Sequence, residues 1–177
     1  VTGVQTCALP IFKGCRRAVE EGLDVLIFAD AQAARRSDLW SVARDCSMLD
    51  RLSLIDDLES RRDLVLHGTV LAIPEARGEQ HSITLEAMAC EMIVIAARDS
   101  HSSLLQDGRT CVAVDPGSID QWAASLTRMI RDHAAAVTLT ESARLFVQVH
   151  RKASDQIKGV LAAYADVTSK GSIPFRA

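Results

Sequence analysis

One stretch of the sequence, GEQHSITLEAMAC (residues 78–90), concentrates polar side chains where a buried strand is followed by a helix. The preceding run TVLAIP is typical of a strand that stops at Pro74, and SITLEAMACE is typical of a helix with Ser82 as its candidate N-cap. Free backbone N–H groups at such a helix start bind anions through hydrogen bonds and the helix dipole. Glu86 lies about one turn into the helix, where its carboxylate could accept hydrogen bonds from the hydroxyl groups of a ligand. Taken alone, Glu86 is better explained as a surface glutamate that favours its helix N-terminus.

The segments around this stretch alternate between buried strands and amphipathic helices. Strands are predicted at residues 23–29 and in RLSLI, GTVLAIP, MIVIAA and RTCVAV. Helices are predicted up to Gly22, in SDLWSVARDCSML with Ser37 as cap, in DDLESRRDLVLH, SITLEAMACE, SSLLQDG and SIDQWAASLTRMIRDH with Ser118 as cap, and over about 138–149 and 151–166. This alternation predicts an α/β fold with a doubly wound parallel sheet. Ligands of such sheets bind outside the carboxyl ends of the strands, which directs attention to the loop after Pro74.

The composition of the 177 residues narrows the classes of function. A net charge of −3 gives no sign of a nucleic-acid partner, and the longest apolar runs are too short to span a bilayer. The spacing G-x-G does not occur, which argues against a dinucleotide-binding dehydrogenase. There is no CxxC pair, so Cys15, Cys46, Cys90 and Cys111 are interpreted as small buried hydrophobic residues in a reducing compartment.

The first eleven residues, VTGVQTCALPI, carry no charge and no amphipathic period. They resemble the in-frame translation of a widely used sequencing adapter, the alternative being a genuine flexible N-terminus. Residues 1–11 are therefore not assigned to the fold, and the sequence predicts one domain over residues 12–166 and a loose tail over 167–177. A domain cut at its front in this way is expected to lack its first strand, which leaves an unpaired edge or a gap in the sheet.

From Asp63 to Trp122 the chain resembles the C-terminal, donor-binding domain of GT-B glycosyltransferases of the large retaining group 1 family. That family has a strand ending in Pro-Ser, a Glu-Gly-Phe-Gly-like loop, Leu-Glu-Ala-Met-Ala-Cys-Gly and then Pro-Val-Val-Ala. This chain has VLAIP, GEQHSIT, LEAMACE and MIVIAA, and the likeness continues through LLQDGRTCVAVDPGS and SIDQWAASLTRMI. The dipeptide KG at residues 13–14 falls where the family has Lys-Gly after the first strand of the domain. The implied fold is the Rossmann-like half of a GT-B enzyme, truncated at its N-terminus.

The resemblance implies a role for each matching residue. Glu86 would bind the ribose hydroxyls of the nucleotide, and Lys13 would place a positive charge on the diphosphate as the glycosidic bond breaks. The backbone of the intervening loop would approach the diphosphate and the sugar, which makes its residues donor-binding candidates: Gln80, His81, Ser82, Ile83 and Thr84. Glu79 would be the catalytic acid that precedes this loop. No metal or other cofactor is implied, because a helix start and a cation can neutralise the leaving group.

Three departures from the family pattern concern this site. Without a gap the first acid of the family falls on Gly78, and Glu79 stands one position late. His81 and its neighbours replace glycines where a phosphate approaches the backbone. The family glycine after the cysteine is Glu91 here. The alternative to a transferase is therefore a catalytically degenerate domain that binds a nucleotide sugar or serves as a scaffold.

The resemblance also implies the reaction and its surroundings. A bacterial enzyme would transfer a sugar from a nucleotide diphosphate donor to a glycan or lipid-linked acceptor held by a missing N-terminal domain. Polysaccharide biosynthesis in the cytoplasm, with peripheral association at the inner membrane face, is the expected setting, and the fragment alone is expected to be inactive.

Several other residues admit a ligand role or a plain structural one. His81 could contact the sugar or a phosphate, or simply be solvated. Ser102 and Ser103 occupy a stretch near the donor site of the family. Arginines 61 and 62 fit a solvated helix face better than a phosphate site, and tryptophans 40 and 122 lie on apolar helix faces that predict core packing.

Overall fold

The five strands form two parallel sheets in the computed structural model, which describes residues 8–35, 38–74, 82–99, 101–151 and 153–170. One sheet pairs β1 (Ile27–Asp30) with β2 (Leu52–Ile55), and the other has the order β3-β4-β5, with β3 Val70–Ile73, β4 Ile93–Ala97 and β5 Val112–Val114. All three ladders are parallel, with Ile27 opposite Leu52, Val70 opposite Ile93, and Ile95 opposite Val112. The α/β class with parallel strands, expected from the sequence, is confirmed.

Eight α-helices and one 3-10 turn accompany the strands within the described residues. The helices are α1 Ala8–Glu20, α2 Ala31–Arg35, α3 Leu39–Asp45, α4 Leu58–His67, α5 Ser82–Ala89, α6 Ile119–Arg131, α7 His133–His150 and α8 Ala153–Lys170, and the 3-10 turn is Leu49–Arg51. None of these helices is long and apolar enough to cross a bilayer.

Two hydrophobic cores lie on opposite sides of the strands. The first core collects alternate residues of all five strands, such as Ile27 and Ile95, together with residues of α1, α3 and α6, and we call this side the α1 face. The second core collects the intervening residues of β3, β4 and β5, such as Val94, together with residues of α5 and α7, and we call this side the α5 face. No residue of β1 or β2 belongs to the second core, and Phe28 on β1 is 49% exposed. The strands β1 and β2 are therefore covered mainly from one side.

Helix α1 ends in the hydrogen-bond pattern that a left-handed residue creates after a helix. The N–H of Gly22 (φ +89°) donates to the Val19 carbonyl, and the N–H of Leu23 donates to the Ala18 carbonyl. Gly22 therefore ends this helix, as the sequence predicts.

Two other helices end in the same way without glycine. Ser47 (φ 54°) follows α3, with Met48 bonded back to Ala43, and Glu91 (φ 59°) follows α5, with Met92 bonded back to Ala87. Neither helix end carries a glycine, the residue that adopts a positive φ without strain, so residue type alone does not predict these two ends.

Three helix starts bear on the predicted caps. Ser118 caps α6 as predicted, since its side chain accepts a hydrogen bond from the N–H of Gln121 at 3.2 Å. The predicted cap Ser37 lies outside the described residues, and α3 starts after Asp38. Ser82 is the first residue of α5 itself.

Some sequence predictions are wrong. SSLLQDG does not form a helix but an irregular loop, and the buried hydroxyl of Thr110, just beyond it, accepts from the Gln106 N–H and donates to the Leu104 carbonyl. Trp122 is fully buried, whereas Trp40 is 49% exposed. Among the cysteines, Cys15, Cys46 and Cys111 are buried and Cys90 is exposed.

Two helices cross boundaries that the sequence suggested. Helix α1 begins at Ala8, inside the stretch that we excluded, and Leu9 and Ile11 pack against the first core. Helix α8 runs to Lys170, into the segment expected to be loose, and its Val167 is 68% exposed. Whether residues 1–11 are native is a separate matter that remains a prediction.

Candidate functional site

The start of α5 lies beyond the carboxyl end of β3, at the edge where parallel sheets bind ligands. Ser82 and Glu86 are both exposed, and their spacing of four residues places them on the same side of the helix. Thr84 is 2% exposed and Ile83 is half-buried, so these two side chains anchor the first turn. The anchored turn offers its backbone N–H groups to the edge of the sheet, with the Glu86 carboxylate one turn further along.

The other loop residues predicted for the site, Glu79, Gln80 and His81, lie outside the described residues. Their predicted roles stay predictions.

Lys13 lies in the second turn of α1, where its side chain is exposed. Its ammonium group acts on the thiol of Cys46, where it opposes the larger effect of burial, which raises the pKa of that thiol. Because α1 packs on the α1 face and α5 on the α5 face, the two helices lie on opposite sides of the sheet. The structure thus brings Ser82, Ile83, Thr84 and Glu86 together on one helix and leaves Lys13 on another.

Two arginines lie near the carboxyl ends of neighbouring strands. Arg61 of α4 forms an ion pair with Asp30 at the end of β1, with 2.5 Å between Nη2 and Oδ2, so it does not lie on a purely solvated face. Arg98, the first residue after β4, donates from Nη2 to the Ala113 carbonyl at 3.3 Å and lies 3.8 Å from Asp107. We did not single out Arg98 from the sequence, although a cation directly after a buried strand is a usable signal.

The hydroxyls of Ser102 and Ser103 are engaged by the chain itself. Ser102 Oγ accepts from the N–H groups of Leu104 and Leu105, at 3.3 and 3.2 Å, and Ser103 Oγ accepts from Arg151 Nη2 at 2.8 Å. These contacts account for both serines structurally and give no support to a ligand role.

The titratable groups with clear shifts are structural. Burial raises the pKa of the Cys15 thiol to about 11 and that of Cys111 to about 12, so both stay protonated and are poor nucleophiles. Asp57 caps α4, and the Ser60 N–H that donates to its carboxylate at 2.7 Å lowers its pKa.

A surface depression with concentrated charge lies elsewhere. It is lined by Glu21, Thr127, Arg128, Arg131 and His133, at the end of α1 and along α6. It is open to solvent, and Arg131 and Thr127 already bond to Glu21. We therefore place the candidate site at α5, where the helix start and the Glu86 carboxylate lie on one helix.

A family model described as glycosyl transferases group 1 matches residues 11–132, which is more than half of the chain and includes all of α5. The chain belongs to the group 1 glycosyltransferases. The resemblance that LEAMAC and its neighbours indicated is thereby confirmed. No curated protein sequence matches this glycosyltransferase chain.

Solved structures match this glycosyltransferase chain at low identity. Sucrose-phosphate synthase from Thermosynechococcus elongatus matches with a TM-score of 0.72 and 19% identity, over 90% of this chain and 43% of that chain. HepE from Anabaena in complex with UDP-glucose matches with a TM-score of 0.73 and 15% identity, over 87% of this chain and 44% of that one. The C-terminal domain of the group 1 protein LpcC from Francisella tularensis matches with a TM-score of 0.67 and 15% identity, over 82% and 80%.

These matches establish the fold of the chain. The chain spans less than half the length of the synthase and of HepE, and four fifths of the isolated LpcC domain. The expected correspondence with one Rossmann-like half of a GT-B enzyme is confirmed by this coverage.

Proposed function

We propose that this chain is the donor-binding half of a glycosyltransferase that transfers a sugar from a nucleotide diphosphate donor to an acceptor. The observation that carries the proposal is the start of α5, where Ser82 and Glu86 are exposed on one side of an anchored helix beyond the carboxyl end of β3. Family membership supports the reaction class. The neighbour HepE, crystallised with UDP-glucose, supports a nucleotide sugar as the donor.

Glu86 would bind the ribose of the donor in this site. An ionised carboxylate accepts hydrogen bonds from two adjacent hydroxyls, and such charge-assisted bonds are stronger than neutral ones. The N–H groups of Ser82, Ile83 and Thr84 would face the diphosphate, because the helix start attracts negative charge. Both parts of the nucleotide would then be held by one helix.

The remaining roles complete the proposal. Glu79 would act as the catalytic acid, with Gln80 and His81 in contact with the donor sugar, and Lys13 would stabilise the departing diphosphate without a metal ion. Lys13 reaches such a position only if its side chain extends past the edge of the sheet, because α1 lies on the face opposite α5.

The acceptor would be a glycan or a lipid-linked sugar, bound mainly by the other half of the full-length enzyme. The full-length enzyme would transfer the sugar in the cytoplasm, at the inner face of the membrane. Activity of the fragment alone is not expected, because catalysis in a two-domain cleft needs both halves.

The first test is isothermal titration of the chain with UDP, GDP and ADP, each repeated with Glu86→Ala. We expect one nucleotide to bind, and its affinity to fall about 10-fold to 100-fold in the variant, since a hydrogen bond to a charged group is worth about 1.5–3 kcal/mol.

The matched control is Glu141→Ala, which removes an exposed helical glutamate from α7. This control should bind as the unchanged chain does. Binding that is equal in Glu86→Ala and the unchanged chain would reject Glu86 as the ribose ligand. No binding of any nucleotide by folded protein would reject a nucleotide site in this chain.

A further inference from the structure

Two arginines flank one buried ring near the end of α7. The Cζ atom of Arg109 lies 5.2 Å from the centroid of the Phe146 ring, and the Cζ atom of Arg151 lies 5.9 Å from it. Both distances fall within the range of a cation–π contact. Phe146 is buried in the second core, and the His150 ring packs against it with 4.9 Å between the centroids. The ring is therefore fixed, and we call Arg109, Phe146 and Arg151 the arginine cluster.

Hydrogen bonds to one loop hold both guanidinium groups of the arginine cluster. Arg109 Nη1 donates to Gln106 Oε1 at 3.0 Å, and Arg151 Nη2 donates to Ser103 Oγ at 2.8 Å. The side-chain amide of Gln106 in turn donates from Nε2 to the Ser103 carbonyl at 2.9 Å. The ring and the loop thus orient the two guanidinium groups together, so a ligand that binds them has few side-chain torsions left to order.

The positive charge of the arginine cluster has no carboxylate partner within the described part of the chain. The hydrogen bonds of the two guanidinium groups go to a neutral amide oxygen and a neutral hydroxyl. Other arginines differ, since Arg17, Arg51 and Arg61 each pair with an aspartate. The Nε atom of Arg151 is also buried and has no hydrogen-bond partner among the described residues. The cluster therefore offers charge and donors that these residues do not satisfy.

The arginine cluster is joined to the carboxyl end of the three-stranded sheet. Ser103, which holds Arg151, belongs to the loop that leaves the carboxyl end of β4. Loops at this edge of a parallel sheet carry ligand-binding residues. Helix α7 packs on α5, but no residue of the cluster belongs to the candidate site at the start of α5. A site at the cluster is therefore built from different residues than the nucleotide site.

We propose that the arginine cluster binds a phosphate group, at a site separate from the nucleotide site at α5. A guanidinium group donates two parallel hydrogen bonds to phosphate oxygens, and its charge makes these bonds stronger than neutral ones. Phosphate suits the cluster better than a single carboxylate, because its oxygens point in several directions and can bond to two guanidinium groups at once. A soluble phosphate ester and the headgroup of an anionic lipid share this chemistry.

The test is an NMR titration of the ¹⁵N-labelled chain with glycerol 3-phosphate, at an ionic strength held constant with sodium chloride. The backbone amide signals of residues 101–111 and 146–151 are followed. We expect these signals to shift along a saturable curve. In the double variant Arg109→Gln and Arg151→Gln the affinity should fall at least about 10-fold, because hydrogen bonds to charged groups are lost. Each single variant keeps one guanidinium group and should lose less.

Two control variants separate this site from general charge and from the nucleotide site. Arg44→Gln removes an arginine of α3 whose side chain is 71% exposed, and it should bind glycerol 3-phosphate as the unchanged chain does. Glu86→Ala should also bind it unchanged. Weaker binding in Glu86→Ala would place the phosphate at α5 and overturn the proposal. Failure of every nucleotide to bind would reject the proposed donor site and leave this titration as it is.

The source of the phosphate is distinguished by co-sedimentation with vesicles of phosphatidylcholine, with and without phosphatidylglycerol. Binding to the phosphatidylglycerol vesicles indicates a lipid headgroup, and binding of glycerol 3-phosphate alone indicates a soluble ester. Either result supports the proposal if it is lost in the double variant and kept in Arg44→Gln. The proposal is overturned if neither probe binds, if sodium chloride alone causes the same shifts, or if the double variant binds as the unchanged chain does.

Discussion

Glu91 stands where the family pattern has glycine, and the backbone conformation at this residue explains why glycine suits the position. It follows α5 with a φ of 59°, and the two hydrogen bonds around it require that left-handed conformation. A glycine, which the family pattern described above has at this position, would adopt this conformation without strain, whereas Glu91 adopts it at a cost. The Glu91 carboxylate lies 2.6 Å from Arg144 Nε, and because the Glu91 side chain is 51% exposed, solvent screens this ion pair and its contribution is small.

Replacement of Glu91 by Gly should therefore stabilise the chain. A non-glycine residue in the left-handed region costs about 1–2 kcal/mol, and the glycine variant removes this cost. The backbone entropy of Gly and the loss of the ion pair offset part of the resulting stabilisation. We expect the free energy of unfolding to rise by about 0.5–1 kcal/mol, measured by urea denaturation with circular dichroism.

The control for this change is Glu91→Ala, which removes the ion pair and keeps the strain. It should be neutral or destabilise by up to about 1 kcal/mol. A glycine variant no more stable than the alanine variant would show that the backbone at Glu91 is not strained.

At the residue scale, the sequence predicted the positions of side chains that depend only on neighbouring residues of the same helix. Glu86 lies one turn into α5 and Ser118 caps α6, as spacing and residue type indicated. The predicted burial of Trp40 and Cys90 was wrong, because an apolar residue on a helix is buried only if another element covers it. That cover is a property of the tertiary fold, which helical spacing does not encode.

Among the elements, the tightest packing joins α1 to α6. A Cβ atom on Gly14 would lie 2.8 Å from Trp122 Cβ and 3.1 Å from the Ala123 nitrogen, so glycine is needed for the two helices to approach. Polar contacts flank this point, since Arg17 pairs with Asp120 and Thr127 Oγ1 donates to Glu21 Oε2 at 3.0 Å.

Replacement of Gly14 by Ala should separate these helices and destabilise the chain. Overpacking of this kind costs about 1–3 kcal/mol, even though alanine is the better helix former. The measurement is again urea denaturation. The control is Gly159→Ala in α8, where a Cβ would meet no atom within 4 Å, and it should leave the transition unchanged. Equal stability of Gly14→Ala and the unchanged chain would contradict the close approach.

The elements themselves were largely predictable from the sequence. Short apolar runs predicted β2 to β5, and amphipathic spacing predicted α4 and α6. The helix predicted for SSLLQDG was wrong. The Thr110 hydroxyl forms hydrogen bonds with backbone groups four and six residues earlier, and these bonds stabilise a non-helical conformation. The division of the strands into two sheets depends on pairing between distant segments, so the sequence indicated only that an edge or a gap would be present.

For the whole molecule, α8 stands apart from the rest of the described chain. Its apolar side chains are more than 45% exposed: Ile157, Val160, Leu161, Tyr164 and Val167. A chain that ends after Arg151 should therefore keep its thermal midpoint within about 2 °C, measured by differential scanning calorimetry.

The comparison chain ends after Asp132 and also lacks α7, which contributes Leu139 and Phe146 to the two cores. That chain should not fold cooperatively. A midpoint that falls by more than about 5 °C on removal of α8 alone would show that this helix packs on the domain.

The one-sided cover of β1 and β2 also bears on how the molecule loses its structure. Strands β3 to β5 lie between two cores, whereas β1 and β2 depend on the first core alone and leave Phe28 half in water. The free energy that holds β1 and β2 is correspondingly smaller, so we expect this pair to open before the three-stranded sheet. A protease should therefore find its first cleavage sites on the β1–β2 side.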